Sequence, residues 1–189
     1  MSNRSIHTLL KSWDEECPLT REEAVEVLNL PEEEMDSLME CAYALRTKYK
    51  GKKVSVQLLT NVRSGNCTQN CAYCAQSKDS QAEIEKYKRV SDEKLYGDND
   101  LVDEKHLARH CIGLSGIGFS DEEIEDLADR IREMKKKDTQ ICCSIGFLTE
   151  KQARILKDAG LDRINHNLNS SRSFYPEICT THTYDQRVN

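Results

Sequence analysis

Apolar residues follow two rhythms along this chain. Val54, Val56 and Leu58 alternate with Ser55 and Gln57, the period of a strand. CIGLSG at 111–116 and ICCSIGF at 141–147 are short apolar runs of the kind found in buried strands, and RINHNL at 163–168 is a more polar fourth candidate. Between them the period lengthens to that of a helix. Ile124, Leu127, Ala128, Ile131 and Met134 share one helical face, as do Ala153, Leu156 and Ala159, with Gly160 as a stop.

Helix starts are marked by capping boxes, in which a hydroxyl and a Glu or Gln three residues later satisfy reciprocal backbone donors. Thr20–Glu23, Ser120–Glu123, Thr149–Gln152 and Thr183–Gln186 all have this form. Ala24, Val27 and Leu28 make a stripe after the first. Pro31 suits the first position of a second helix, followed by Glu32 to Glu34 at its positive end and by Met35, Leu38, Met39, Ala42 and Leu45, with Cys41 as a buried small residue. Gly51 ends that segment. Residues 1–19 are irregular or weakly helical. Residues 78–109 are very polar and predict helix interrupted at Gly97-Asp-Asn-Asp100.

Strands alternating with helices through short connections imply parallel pairing. The predicted fold is α/β: about the first four βα units of a (β/α) TIM-type barrel, residues 51–189, preceded by an N-terminal helical cap, residues 1–50. A full barrel takes about 250 residues, and the last helix is cut soon after its cap, so the chain reads as C-terminally truncated. Such a piece would expose strand edges and tend to aggregate.

The chain has 189 residues, 32% of them charged, with a net charge of -6. There is no basic block to bind nucleic acid. Lys135 to Lys137 ends a predicted helix, where cations suit the dipole. No apolar run approaches the roughly 20 residues of a membrane span, and no signal-peptide core opens the chain. A cytoplasmic setting follows, in which the nine cysteines are reduced thiols or metal ligands.

The special residues cluster at predicted strand C-termini, where parallel α/β sites lie. Cys67, Cys71 and Cys74 follow the first strand at C-x3-C-x2-C spacing within NVRSGNCTQNCAYCAQS, 61–77. Three thiolates this close suit an iron–sulfur cubane with one open iron, a zinc knuckle or a disulfide pair, and spacing alone does not choose. Cys111 and Cys142 lie on neighbouring strands, about 4.8 Å apart if paired, so they could share one metal centre, although by themselves they and Cys143 read as ordinary core residues. Strand alternation sends Cys142 and Cys143 to opposite faces. Asn165, Asn167 and Asn169 share one face in a buried amide row suited to a ribose or urea-like group, with His166 pointing the other way. His110 and His182 read as structural histidines, and Cys179 as a buried small residue.

With these motifs in hand, the chain resembles the radical S-adenosylmethionine (SAM) enzymes, in which three such thiolates hold a [4Fe-4S] cluster. The open iron binds S-adenosyl-L-methionine and yields a 5′-deoxyadenosyl radical. Tyr73, before the last cysteine, then lies near the adenine. The segments SGNCTQNCAYCAQS, RHCIGLSG and CCSIGFLTEKQARILKDAGLDRINHNLNSSRSFYPEICTTHTYDQR are very similar to the biotin synthase family, from about Thr20 to the last residue. Hydrogenase-maturation and methylornithine synthases share the loop but differ around NHNLNSS and TTHTY.

The resemblance implies a sulfurtransferase of biotin biosynthesis that converts dethiobiotin to biotin. It implies a [2Fe-2S] cluster on Cys111 and Cys142, with Cys143 a non-ligand. Its remaining ligands, a cysteine on the fifth strand and an arginine on a later one, would lie beyond Asn189. It assigns Asn165 and Asn167 to dethiobiotin and Asn167 and Asn169 to S-adenosylmethionine. Asn169 stands where some members have aspartate. A reductant such as flavodoxin or ferredoxin and a homodimer are implied too. No separate catalytic acid or base is required. The rival readings are a related radical enzyme with another substrate, or a non-catalytic zinc- or iron-binding domain.

Overall fold

The computed structural model describes residues 19–188, so the expectation for the first residues lies outside the described part. The chain divides into two compact units, Met1–Val54 and Ser55–Asn189. In the first, α1 (Arg21–Leu28) begins at Thr20 with its capping box formed. A single 3-10 turn, Glu32–Glu34, precedes α2 (Met35–Lys50). Pro31 therefore caps that turn instead of opening an α-helix. Neither helix buries a residue completely, and Cys41 is half-buried rather than buried.

The second unit alternates β1 (Gln57–Arg63), α3 (Asp92–Glu104), β2 (Arg109–Leu114), α4 (Asp121–Met134), β3 (Ile141–Ser144), α5 (Glu150–Asp158) and β4 (Arg163–Asn165). Two short helices follow, α6 (Tyr175–Ile178) and α7 (Tyr184–Val188). The strands form one parallel sheet in the order β1-β2-β3-β4. Chain order equals spatial order. A doubly wound fold reverses direction at a switch point, whereas a (β/α) barrel adds each strand beside the last. The sheet is thus a partial TIM-type barrel.

Strand alternation divides the sheet into two faces. Val62, Ile112, Ile141 and Cys143 point toward the helices and join Leu95, Ile124, Leu127, Ile131 and Leu156 in one core. α4 shows why this packing forms. Ser120 and Glu123 complete a capping box, acidic residues fill the first turn, and all five apolar positions of its stripe are buried. Ile124, Leu127, Ile131 and Met134 each contribute about 1.5–3 kcal/mol on leaving water. α5 repeats the device with Thr149 and Gln152, and Gly160 at φ 97° turns the chain out of it.

Three expectations shift. β1 spans 57–63 and not 54–58, so the cysteine loop starts near Ser64. β4 is three residues long and exposed, which suits its polar content. α3 runs unbroken through Gly97-Asp-Asn-Asp100, because Ser91 caps it and Leu95, Asn99 and Val102 lock it to the sheet.

A buried polar network holds α3 to the strands. His110, wholly buried, meets Thr60 Oγ1 through Nε2 at 2.8 Å and Asn99 Oδ1 through Nδ1 at 3.3 Å, as befits a structural histidine. Burial pushes its pKa down to about 4 against the attraction of Asp98. At the end of α4, Lys135 donates to the Thr139 carbonyl and the Asp162 carboxylate, each at 3.0 Å, and Lys137 pairs with Asp100. These lysines do more than solvate a helix end.

Candidate metal and substrate site

The other sheet face and the loops at the strand C-termini enclose a cavity of about 330 Å³. Parallel register stacks the inner side chains in layers. Leu59, Cys111, Cys142 and Arg163 share one level, and Asn61, Gly113, Ser144 and Asn165 the next. The upper level lines the cavity.

Cys67, Cys71, Tyr73 and Cys74 enter the cavity from the loop after β1. The loop is fixed by its own backbone bonds, Cys74 N–H to the Cys71 carbonyl and Lys78 N–H to the Gln69 carbonyl. It is fixed from outside by Asn70, whose Oδ1 accepts from Thr180 N–H at 3.0 Å and Thr181 N–H at 3.2 Å. Asn66, just before Cys67, takes φ 52°, a left-handed conformation that asparagine tolerates.

The three loop thiols are not among the sets of donor atoms that gather within 4.8 Å of one another among the described residues. A single zinc ion with bonds of about 2.3 Å needs its sulfurs about 3.8 Å apart. The wider loop trio suits a polynuclear iron–sulfur group better than a zinc knuckle. No disulfide occurs among the described residues.

Cys71 does have a close neighbour, Cys179, with 3.8 Å between sulfurs. Burial pushes the Cys71 thiol up to about 11, helped by Cys179, so Cys71 keeps its proton and donates it. Burial raises Tyr73 to about 12, with Cys71 adding to it. Sequence reasoning treated Cys179 and His182 as structural. The structure brings both against Cys71, 108 residues from Cys179 along the chain. The one local cue was the C-x2-H spacing in CTTH.

Cys111 and Cys142 are register partners across β2 and β3. Burial pushes Cys111 up to about 11, Cys142 adds to this, and Arg109 and Arg163 oppose it. Cys143 lies on the other face in the core, where burial raises it further still.

All three asparagines line the cavity. They are not a buried row, however. Only Asn165 belongs to β4, and all three are exposed because the strand ends there. Asn169 turns at φ 66° and donates from Nδ2 to the Tyr73 hydroxyl at 2.7 Å, joining the far loop to the cysteine loop. His166 sits outside the lining, with Nε2 at 2.8 Å from the Arg187 carbonyl.

The donor set fits the groups implied. Soft sulfur donors face the cavity from the loop, and amides that can bind hydroxyls or a urea-like ring rim the other side. Among the described residues, no helix is long and apolar enough to cross a membrane.

The chain is 41% identical over 171 residues to the biotin synthase of Geobacillus kaustophilus, covering 90% of this chain and 51% of the relative. It is 41% identical over 172 residues to that of Bacillus subtilis, again covering 90% and 51%. The chain thus spans about half the length of these curated relatives. A methylornithine synthase crystal structure superposes with a TM-score of 0.83 at 17% identity, over 96% of this chain and 53% of that one. The hydrogenase maturase of Carboxydothermus hydrogenoformans superposes at 0.78 with 20% identity, over 97% and 44%. At such identities these two speak for the fold alone. The pattern of the Radical SAM superfamily matches residues 61–189, and the chain belongs to that superfamily.

Proposed function

We propose that this chain carries the radical-generating and dethiobiotin-binding part of a biotin synthase, a sulfurtransferase that converts dethiobiotin to biotin. The observation that carries the reading is the meeting, in one cavity, of the Cys67–Cys74 loop and the Asn165–Asn169 rim, with Cys111 and Cys142 in register one layer below. The likeness to curated biotin synthases supports it.

In this reading Cys67, Cys71 and Cys74 hold a [4Fe-4S] cluster, and Cys111 and Cys142 hold part of a [2Fe-2S] cluster. When bound, these groups supply the electron that cleaves S-adenosyl-L-methionine and the sulfur that is transferred. Tyr73, Asn167 and Asn169 orient S-adenosylmethionine. Asn165 and Asn167 orient dethiobiotin. No side chain needs to act as an acid or base; orientation and exclusion of water are the protein's tasks. The division into a helical segment 1–50 and a barrel segment 51–189, a cytoplasmic setting, a flavodoxin- or ferredoxin-type reductant and a homodimer belong to the same proposal.

Anaerobic reconstitution with iron and sulfide tests it. The expected product is brown, and reduced protein cleaves S-adenosylmethionine to 5′-deoxyadenosine. Alanine at Cys67, Cys71 or Cys74 abolishes cleavage, whereas alanine at Cys111 or Cys142 spares it. A protein that stays colourless, or two cysteine sets that behave alike, would overturn the assignment.

A further inference from the structure

We infer that Cys71, Cys179 and His182 form a mononuclear site for a soft divalent ion such as Zn2+, one that shares Cys71 with the loop trio. The three donors are buried and lie within 4.8 Å of one another. Their spacing matches one ion closely. Two zinc–sulfur bonds of about 2.3 Å at the tetrahedral angle put the sulfurs about 3.8 Å apart, and a zinc–nitrogen bond of about 2.05 Å puts nitrogen about 3.5 Å from sulfur. The structure has 3.8 Å between Cys71 and Cys179, and 3.3 Å from Cys179 to His182 Nδ1.

The surroundings are those of a ligating histidine. Metal-bound imidazoles donate their other N–H to a fixed partner, which sets the tautomer. His182 Nε2 lies 2.9 Å from the Tyr175 hydroxyl, buried beside it, a partner that can take an Nε2–H bond when Nδ1 turns to an ion. The ring is also held edge-on by Phe147 and Tyr175. In the metal-free chain Gln69 Oε1 accepts from Nδ1–H at 3.0 Å; ion binding moves that proton to Nε2 and leaves the oxygen placed to take the fourth position. The bond from Ala72 N–H to the Ile178 carbonyl at 2.9 Å, with the Asn70 contacts, pins the two segments together before any ion arrives.

Binding releases two thiol protons and leaves a neutral centre, with two thiolates balancing the dication. Cys71 cannot serve this ion and the loop trio at once, so zinc at this site excludes the polynuclear group. The ion site stands without the proposed function; only the exclusion rests on it.

Cobalt(II), which reports thiolate ligation and tetrahedral geometry by its colour, provides the test on the whole metal-free chain. One Co2+ binds with thiolate charge-transfer and tetrahedral bands and is displaced by Zn2+. Cys67→Ala and Cys74→Ala keep these bands; Cys179→Ala and His182→Gln lose them, with affinity at least ~10-fold weaker. Wild-type bands in Cys179→Ala and His182→Gln, or loss of the bands in Cys67→Ala, overturn the site. Should a variant misfold, alkylation of the native wild-type chain decides: zinc shields Cys71 and Cys179 and leaves Cys67 and Cys74 reactive, and the reverse pattern refutes the site. Zinc loading also slows iron–sulfide reconstitution in wild type but not in Cys179→Ala. Equal rates with and without zinc in a wild type that does turn brown remove the exclusion while leaving the proposed function intact.

Discussion

Gly97→Ala probes the helix that its own sequence argues against. Gly-Asp-Asn-Asp is turn-like, yet α3 passes through it without a break. Glycine inside a helix costs about 0.8–1.0 kcal/mol relative to alanine, because the unfolded chain loses more freedom and gains no side chain. A Cβ at position 97 meets nothing within 4 Å, so no clash offsets this gain. The site is exposed, so no burial adds to it. The substitution should therefore stabilise the protein by about 0.8–1.0 kcal/mol, a four- to five-fold rise in the folded-to-unfolded ratio. Urea denaturation followed by helical circular dichroism should show a higher midpoint with an unchanged slope. The melting temperature should rise by about 2–4 °C. A lower or unchanged midpoint would mean that the chain bends at Gly97 as the local sequence suggests.

Gly146→Ala should act in the opposite sense. A Cβ there lies 2.3 Å from the Ile117 carbonyl oxygen, which is backbone and cannot swing aside, so about 1–3 kcal/mol of stability should be lost. Exchange of the Phe147 amide, bonded to that oxygen at 2.6 Å, reports the same opening, and normal protection would refute the argument. Ile131→Ala, at a wholly buried site, should cost about 2–5 kcal/mol in the same denaturation assay. Burial raises the Asp98 carboxyl, but hydrogen bonds from Lys94 and Thr60 outweigh it and hold the group below its ordinary range. A carboxylate depressed in this way lends stability above its unfolded pKa and loses it as pH falls through the folded one. The stability gap between wild type and Asp98→Asn should therefore narrow as pH falls below the ordinary carboxylate pKa, and a constant gap counts against this account.

Features set by neighbours in the chain were legible in advance. The capping boxes at Thr20, Ser120 and Thr149 all form, and that at Thr183 does too, with both reciprocal bonds present. The face of α4 and the opposite orientations of Cys142 and Cys143 follow from period alone. Strand ends were not legible, because pairing decides them. β1 extends to Arg63 since β2 offers Gly113 to Asn61 and Leu114 to Arg63, with the register slipping at Val62, and β4 stops at Asn165 where β3 stops at Ser144. α3 survives its glycine because tertiary contacts at Leu95 and Asn99 override local preference. The approach of Cys179 and His182 to Cys71 depends on a contact far apart in sequence, which no local pattern encodes.

The tandem cysteines of β3 carry a consequence for folding. Sliding β3 by one residue would exchange inward and outward side chains, yet a thiol would still face inward, since Cys143 would replace Cys142. The inward thiol therefore cannot proofread the alignment of this strand. That task falls to Ile141, fully buried on the helix side, and to Ile145 just past the strand, nearly so. A slip would drive Ile141 into the polar interior and leave a void beneath the helices, so the oily residues at either end of the thiol pair guard its reading frame.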